Sequence, residues 1–200
     1  LLDLLEERGY EVAIYRKFSP VEATAAAASA DLGGLNFIVR KKDNPEMKCD
    51  VRYMDVSRPK MAGFLAELPE EDIVNTEYII MMKGAVTDAH HAMSSSQYLQ
   101  PSSEREGRRR KLRVSFFSLY HLVNNPLRHI MVPRHRIIPE DQHKALLDSM
   151  HIISKSKLPE IKHHLDPIAR CIGAVPGDII EITRNSASAG EAIIYRVCVP

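Results

Sequence analysis

Residues Leu158–Arg184 read LPEIKHHLDPIARCIGAVPGDIIEITR, and from Ala192 the chain continues as AIIYRVCVP. Every element of this stretch is punctuated. Asp166 suits the position before a helix, where a carboxylate accepts from free backbone N–H groups, and Pro167 suits the first helical position. Ile168 and Ile172 share one helix face, and Gly173 is placed to end the helix in a left-handed conformation. Val175-Pro176-Gly177-Asp178 puts Pro and then Gly at the centre of a turn, the order a type II turn needs. Ile179–Arg184 then predicts a strand. From Ile193, the alternation of Ile193, Tyr195, Val197 and Val199 with Ile194, Arg196 and Cys198 predicts a second strand with one strongly apolar face. Nothing here is arranged as an active site; the stretch has the build of a rigid docking unit.

Upstream, Pro139-Glu140-Asp141 opens a helix with acids at its positive dipole end, and Leu146, Met150 and Ile153 form its expected buried stripe. At the other end of the chain, Leu1–Arg8 predicts an amphipathic helix stopped by Gly9. Ser19-Pro20-Val21-Glu22 is a capping box that starts a second, Ala-rich helix ending near Gly33-Gly34. Asn36–Lys41 and Lys48–Asp55 predict strands joined by a turn at Asp43-Asn44-Pro45. Helical spacing runs from Pro59 to Leu68. Glu77–Met82 is a continuous apolar run expected to be a strand buried on both faces. The division this implies is an α/β domain over 1–93, a flexible Ser-rich and basic insertion over 94–111, a connecting segment over 112–126, and a small α+β domain over 127–200.

Composition narrows the function. The 200 residues carry 27 Lys and Arg against 26 Asp and Glu, a net charge of +1, so the chain lacks the single-sign excess of a free-standing nucleic-acid binder. Cys49, Cys171 and Cys198 are isolated and odd in number, which argues against zinc or a disulfide framework and for a reducing compartment. No apolar run approaches a membrane span, and no signal peptide is visible at the start. Leu1 is not a methionine, so the native chain is expected to begin upstream.

No G-x-S-x-G, glycine-rich phosphate loop or H-E-x-x-H is present, so no catalytic residue and no cofactor is expected. The pairs His90-His91 and His163-His164 lack a partner at ligand spacing, and adjacent helical residues point about 100° apart. They are read as exposed polar residues, and no metal is expected. Arg108-Arg109-Arg110-Lys111 is the one dense basic cluster; without interleaved aromatics it suits phosphates or an import signal better than single-strand stacking. A solvated charge run is the commoner meaning of such a cluster.

Several short motifs in one order carry a resemblance. LP-x-I at Leu158, DPIAR-x-x-G at Asp166, PGD-I-I-E-I-x-R at Pro176 and IIYR-V at Ile193 resemble the C-terminal assembly domain of one RNA polymerase subunit. It is the subunit shared by eukaryotic RNA polymerases I, II and III, whose C-terminal domain matches a small subunit of the archaeal enzyme. Arg128-His129-Ile130-Met131-Val132-Pro133-Arg134-His135 resembles the family's Val-Pro-x-His segment. Leu1–Val12 resembles its opening helix, and Thr76–Met93 resembles the strand–Gly–helix unit of its jaw domain.

The resemblance implies an α/β N-terminal jaw domain plus a small α+β C-terminal assembly domain, in a divergent member or paralogue. It implies a non-catalytic subunit of a nuclear DNA-directed RNA polymerase, nucleolar if dedicated to polymerase I. The alternative is a polymerase-free, transcription-associated scaffold that retains the assembly fold. Partners would be the largest subunit and neighbouring small subunits, with downstream duplex DNA met weakly or indirectly, and neither a membrane nor a small-molecule substrate. Partner binding would fall to Pro133, His135, Leu158, Pro159, Asp166, Pro167, Arg170, Gly173, Arg184, Tyr195 and Arg196. Arg170, Arg184 and Arg196 suit bidentate pairing with carboxylates, or equally an internal role. Lys83, Thr87, His90, Arg108, Arg109 and Arg110 would lie near DNA. The family's N-terminal domain is nuclease-like in fold, but Asp50 and Asp55 flank a strand with no E-x-K to complete a metal site. The loop Lys83–His90 lacks the family's Thr-Pro and gains Asp88, and Cys171 and Ile172 replace an aromatic residue before Gly173.

Overall fold

A computed structural model of the chain describes residues 1–28, 30–56, 63–64, 75–99, 111–186, 188 and 190–200. They form two compact units, Leu1–Asn124 and Asn125–Pro200.

The first unit is built on a four-stranded sheet in the order β1-β2-β3-β4. Phe37–Arg40 (β1) runs antiparallel to Lys48–Tyr53 (β2), which is parallel to Thr76–Met82 (β3), itself parallel to Arg113–Ser118 (β4). All seven residues of β3 are buried, as a continuous apolar run between two parallel neighbours requires. Tyr78, Ile80 and Met82 pack with Val56, Leu112, Val114 and Phe116 on one face. The opening helix α1 (Leu2–Glu7) buries Leu4 and Leu5, and Gly9 leaves it at φ +86°. The capping box forms reciprocally: Glu22 N donates to Ser19 Oγ at 3.3 Å, and Ser19 N donates to Glu22 Oε2 at 2.8 Å. It starts α2 (Pro20–Ala28), which buries none of its residues.

Two expectations for this unit change. Ser94 does not open an insertion, because α3 (Asp88–Leu99) continues through it. Ser94 and Ser95 are buried, and the Ser94 hydroxyl donates to Val114 O on β4. A polar composition conceals a helix that buries two of its three serines, Ser96 remaining exposed. Residues 112–126 are likewise no simple connector: Leu112 is fully buried, and β4 is an integral strand of the first sheet. The helix expected over Pro59–Leu68 falls outside the described residues except Gly63 and Phe64, and residues 100–110, with Arg108, Arg109 and Arg110, also lie outside them.

The second unit has its own four-stranded sheet in the order β5-β7-β8-β6. Arg134–Ile138 (β5) pairs antiparallel with Ile179–Ser186 (β7), β7 pairs antiparallel with Gly190–Val199 (β8), and Glu160–Lys162 (β6) lies parallel to β8. Both faces are covered in part, which corrects the expectation of one apolar face on β8. Cys198 packs with Ile161, Ala169, Ala174, Ile180 and Ile182 on one side. Val197 packs with Ile138, Leu158 and Ile179 on the other, joined by Leu146 and Leu147. Ile193 stands 56% exposed.

The helix after Pro139 also differs. A 3-10 turn at Glu140–Gln142 precedes α4 (His143–Ser149), and His151 at φ +56° stops any continuation. Met150 and Ile153 therefore fall beyond the helix and are exposed, while His143 is the residue α4 buries. Its Nε2 lies 2.9 Å from Ile138 O.

Candidate docking surface

The C-terminal unit holds the residues singled out for partner binding, and each is placed by local chemistry. Asp166 caps α5 (Pro167–Cys171): Oδ1 accepts from Ile168 N at 2.8 Å and from Ala169 N at 3.0 Å. Ala169 and Cys171 are the residues this helix buries, with Ile172 packed beside them, so the inner face is offset from the expected Ile168–Ile172 line. Gly173 then adopts φ +77°, where an L side chain is strained. In the following turn Gly177 has φ +100°, Asp178 N donates to Val175 O at 3.1 Å, and Val175 N donates back to Asp178 Oδ2 at 2.9 Å. The turn is locked in both directions.

The three arginines separate. Arg170 turns inward, and its Nη1 donates to His164 O at 2.8 Å and His163 O at 3.3 Å. It holds the turn before α5 and is half-buried. Arg196 Nη1 reaches Glu160 O at 2.9 Å, across the edge of β6. Arg184 is exposed. Leu158 is a core residue, whereas Pro159 and Pro167 are exposed. Pro133 and His135 are half-buried neighbours of one another, with His135 Nδ1 2.7 Å from Pro133 O. Asp166, Gly173, Leu158 and Arg170 thus build the unit, and Pro159, Pro167, Arg184, Tyr195 and Arg196 face outward in whole or part.

A cross-strand network is not legible in the sequence. Arg136 on β5 makes a two-pronged contact with Glu181 on β7, each prong 3.1 Å, and the Tyr195 hydroxyl on β8 donates to Glu181 Oε2 at 3.2 Å. Desolvation first, then the Glu181 charge, raises the Tyr195 phenol above its ordinary value. Alternation alone pairs these positions only once the register of β5 is known. Just before β5, Ile130 and Met131 project from a turn, 95% and 80% exposed, an apolar pair that the motifs do not single out.

In the first unit, Lys83 and Thr87 are exposed on the loop after β3. His90 is not available to DNA, which corrects its assignment. Its ring is buried against Phe116, with Nε2 3.0 Å from Val56 O and Nδ1 2.8 Å from the Thr87 hydroxyl. His91 and His163 are buried as well, so three of the four paired histidines are interior rather than exposed. Asp50 bonds Arg52 at 2.8 Å, and Asp55 Oδ1 accepts from Gly84 N at 2.9 Å. Among the described residues, no group of three or more His, Cys, Asp or Glu side chains gathers as a metal site, and no helix is long and apolar enough to cross a membrane. All three cysteines are buried, and none of them forms a disulfide.

The second unit is thus a small sheet covered in part on both faces, with a capped helix, a doubly bonded turn and outward-facing Pro159, Pro167 and Arg184. The family model for the RNA polymerase Rpb5 C-terminal domain matches residues 124–198. A DNA-directed RNA polymerase subunit Rpo5 of Pyrococcus abyssi is 48% identical over 75 residues, covering 38% of this chain and 89% of the relative. The Rpo5 of Methanosarcina barkeri is 49% identical over 73 residues, covering 36% of this chain and 91% of the relative. A subunit of DNA-directed RNA polymerases I, II and III from Dictyostelium discoideum, rpabc1, is 24% identical over 201 residues, 100% of this chain and 93% of the relative. The chain belongs to the Rpb5 family of RNA polymerase subunits.

Proposed function

We propose that this chain is a non-catalytic subunit of a nuclear DNA-directed RNA polymerase, that its C-terminal unit docks on the largest subunit, and that its N-terminal unit forms part of the jaw beside the downstream duplex. The observation that carries the reading is the similarity of the C-terminal module to archaeal polymerase subunits, joined to full-length similarity to a subunit of polymerases I, II and III. The chemistry agrees with assembly. The C-terminal unit is stiffened by a helix cap, a left-handed glycine and a doubly bonded turn, so little ordering cost remains at binding. In the jaw, Lys83 and Thr87, exposed on the loop after β3, are the groups that would meet phosphate, a weak and local contact in keeping with a net charge of +1.

Affinity purification of the tagged chain tests this. The largest polymerase subunit is expected at equal stoichiometry in the eluate. Recovery of the chain with no polymerase subunit would sink the reading and favour a polymerase-free scaffold. Within a recovered complex, a photocrosslinker placed at Thr87 is expected to label downstream duplex, and a lack of labelling would remove the jaw contact alone.

A further inference from the structure

The strand β8 is half used. It pairs with β7 along most of its length, from Gly190 opposite Ser186 to Val197 opposite Ile179. On its other side β6 covers only Val197–Val199. Backbone direction along β8 follows from the bonds it makes. Val197 N donates to Pro159 O, and Val199 O accepts from His163 N, so odd-numbered residues point toward the β6 side. Cys198 N donates to Asp178 O on the β7 side. The N–H and C=O groups of Glu191, Ile193 and Tyr195 therefore face an edge along which, among the described residues of this unit, no strand lies.

Other edges of the same sheet are blunted. The β6 edge is three residues long, and Arg196 reaches over it to Glu160 O. The β5 edge carries Arg134 and Arg136, charges of the kind that discourage strand addition. The open part of β8 has no lysine or proline; its one charge, Glu191, sits at the hairpin end, and beyond it the strand presents Ile193 and Tyr195 on one face and Ala192 and Ile194 on the other. An edge that is uncharged from Ala192 to Tyr195, with largely apolar side chains on both faces, is suited to receive a strand.

We propose that Gly190–Tyr195 of β8 is a strand-addition site that takes an extended segment of a partner polymerase subunit, about six residues long, with β-branched or aromatic side chains toward both faces. The occupant follows from geometry and from continuity: the edge adjoins Arg196 and Pro159, outward residues of the docking surface, and this step rests on the polymerase reading above. Main-chain bonds from Ile193 and Tyr195 supply the attachment, and Ile193, with more than half its surface exposed, supplies apolar contact.

Hydrogen exchange read residue by residue on the full-length chain, free and assembled in the purified polymerase, is the test. In the free chain the Ile193 and Tyr195 amides exchange fast while Ile194 and Arg196, bonded to β7, exchange slowly. On assembly, Ile193 and Tyr195 are expected to slow at least about tenfold. Ile193→Pro removes one outward N–H and spares the β7 ladder, and Ile193→Lys keeps the N–H but guards the edge. Both are expected to retain the wild-type circular dichroism spectrum and to recover at least about tenfold less polymerase. Should the proline variant misfold, the lysine variant and the exchange data still decide. Unchanged exchange in a chain that has assembled overturns the edge and leaves the polymerase reading standing. Failure of the wild-type chain to recover polymerase overturns both. Slowing of the same amides with rising concentration of the free chain identifies a second copy as the occupant and overturns the partner segment.

Discussion

The Tyr10 hydroxyl donates a 2.8 Å hydrogen bond to Glu77 Oε2, joining the segment after α1 to the most buried strand of the first sheet. Arg8 pairs with the same carboxylate, and both charged side chains are almost wholly buried. Glu77 is thus a charge held in the interior by two donors from one short segment. Burial first, and then the nearby Glu77 charge, raises the Tyr10 phenol, so Tyr10 remains a donor at physiological pH.

Removing one donor leaves the carboxylate under-satisfied. Tyr10→Phe is expected to destabilise the first unit by about 1–3 kcal/mol, and Arg8→Ala by about 3–5 kcal/mol because it strands a buried charge. Urea unfolding followed by circular dichroism measures both. Equal, negligible losses would show that Glu77 is solvated.

In the second unit, Asp166→Ala removes the acceptor for two helix N–H groups and is expected to cost about 1 kcal/mol. Gly173→Ala forces a side chain into φ +77° and is expected to cost about 1 kcal/mol or slightly more. Thermal melts resolve these, and a Gly173→Ala protein as stable as wild type would contradict the left-handed cap.

Arg170→Ala and Arg196→Ala are expected to part company. Arg170 holds two carbonyls of the turn before α5, so its loss lowers the melting temperature of the unit, by roughly 1–3 kcal/mol of stability. Arg196 makes one exposed bond, and its loss leaves the melt within about 0.5 kcal/mol of wild type. Matching melts for the two variants would contradict this division.

Alkaline pH gives a signed expectation. Burial, with smaller additions from Asp178 and Asp166, pushes the Cys198 thiol up from 9.0 to about 12. The folded value lies above the unfolded one, so the neutral thiol's contribution is whole below pH 9.0 and is lost as pH rises toward about 12. Cys198→Ala is expected to flatten the fall in stability across that window. Denaturant midpoints at a series of pH values report the difference, and parallel curves would rule the thiol out.

What the sequence discloses is what local chemistry decides. Ser19 with Glu22, Asp166 with Pro167, Gly173, and Pro176 with Gly177 each specify a cap or turn through their nearest neighbours, and all four are present. The β3 run is legible because consecutive buried positions need an unbroken apolar string. Long-range pairing is not. Ser94 and Ser95 read as solvent-facing until β4 arrives beside them, and His90 reads as a DNA contact until Val56 O supplies its partner. The buried stripe through Met150 and Ile153 requires a helix that His151 ends. Among the docking residues, Arg170 hides its role for the same reason: its carbonyl partners are assembled by a turn that spacing alone does not place.

Each sheet also has one pairing that closes across a short interval and others that close across long ones. In the first, β1 and β2 meet across the short interval Arg40–Lys48, whereas β3 must find its parallel neighbours across Tyr53–Thr76 and Met82–Arg113. In the second, β7 and β8 meet across the short interval Ser186–Gly190 and extend as a hairpin. During refolding the amides of that hairpin are expected to gain protection before β5 and β6 join it across the intervals Ile138–Ile179 and Lys162–Val197, so the strand that would meet other chains is ordered ahead of the outer strands of its sheet.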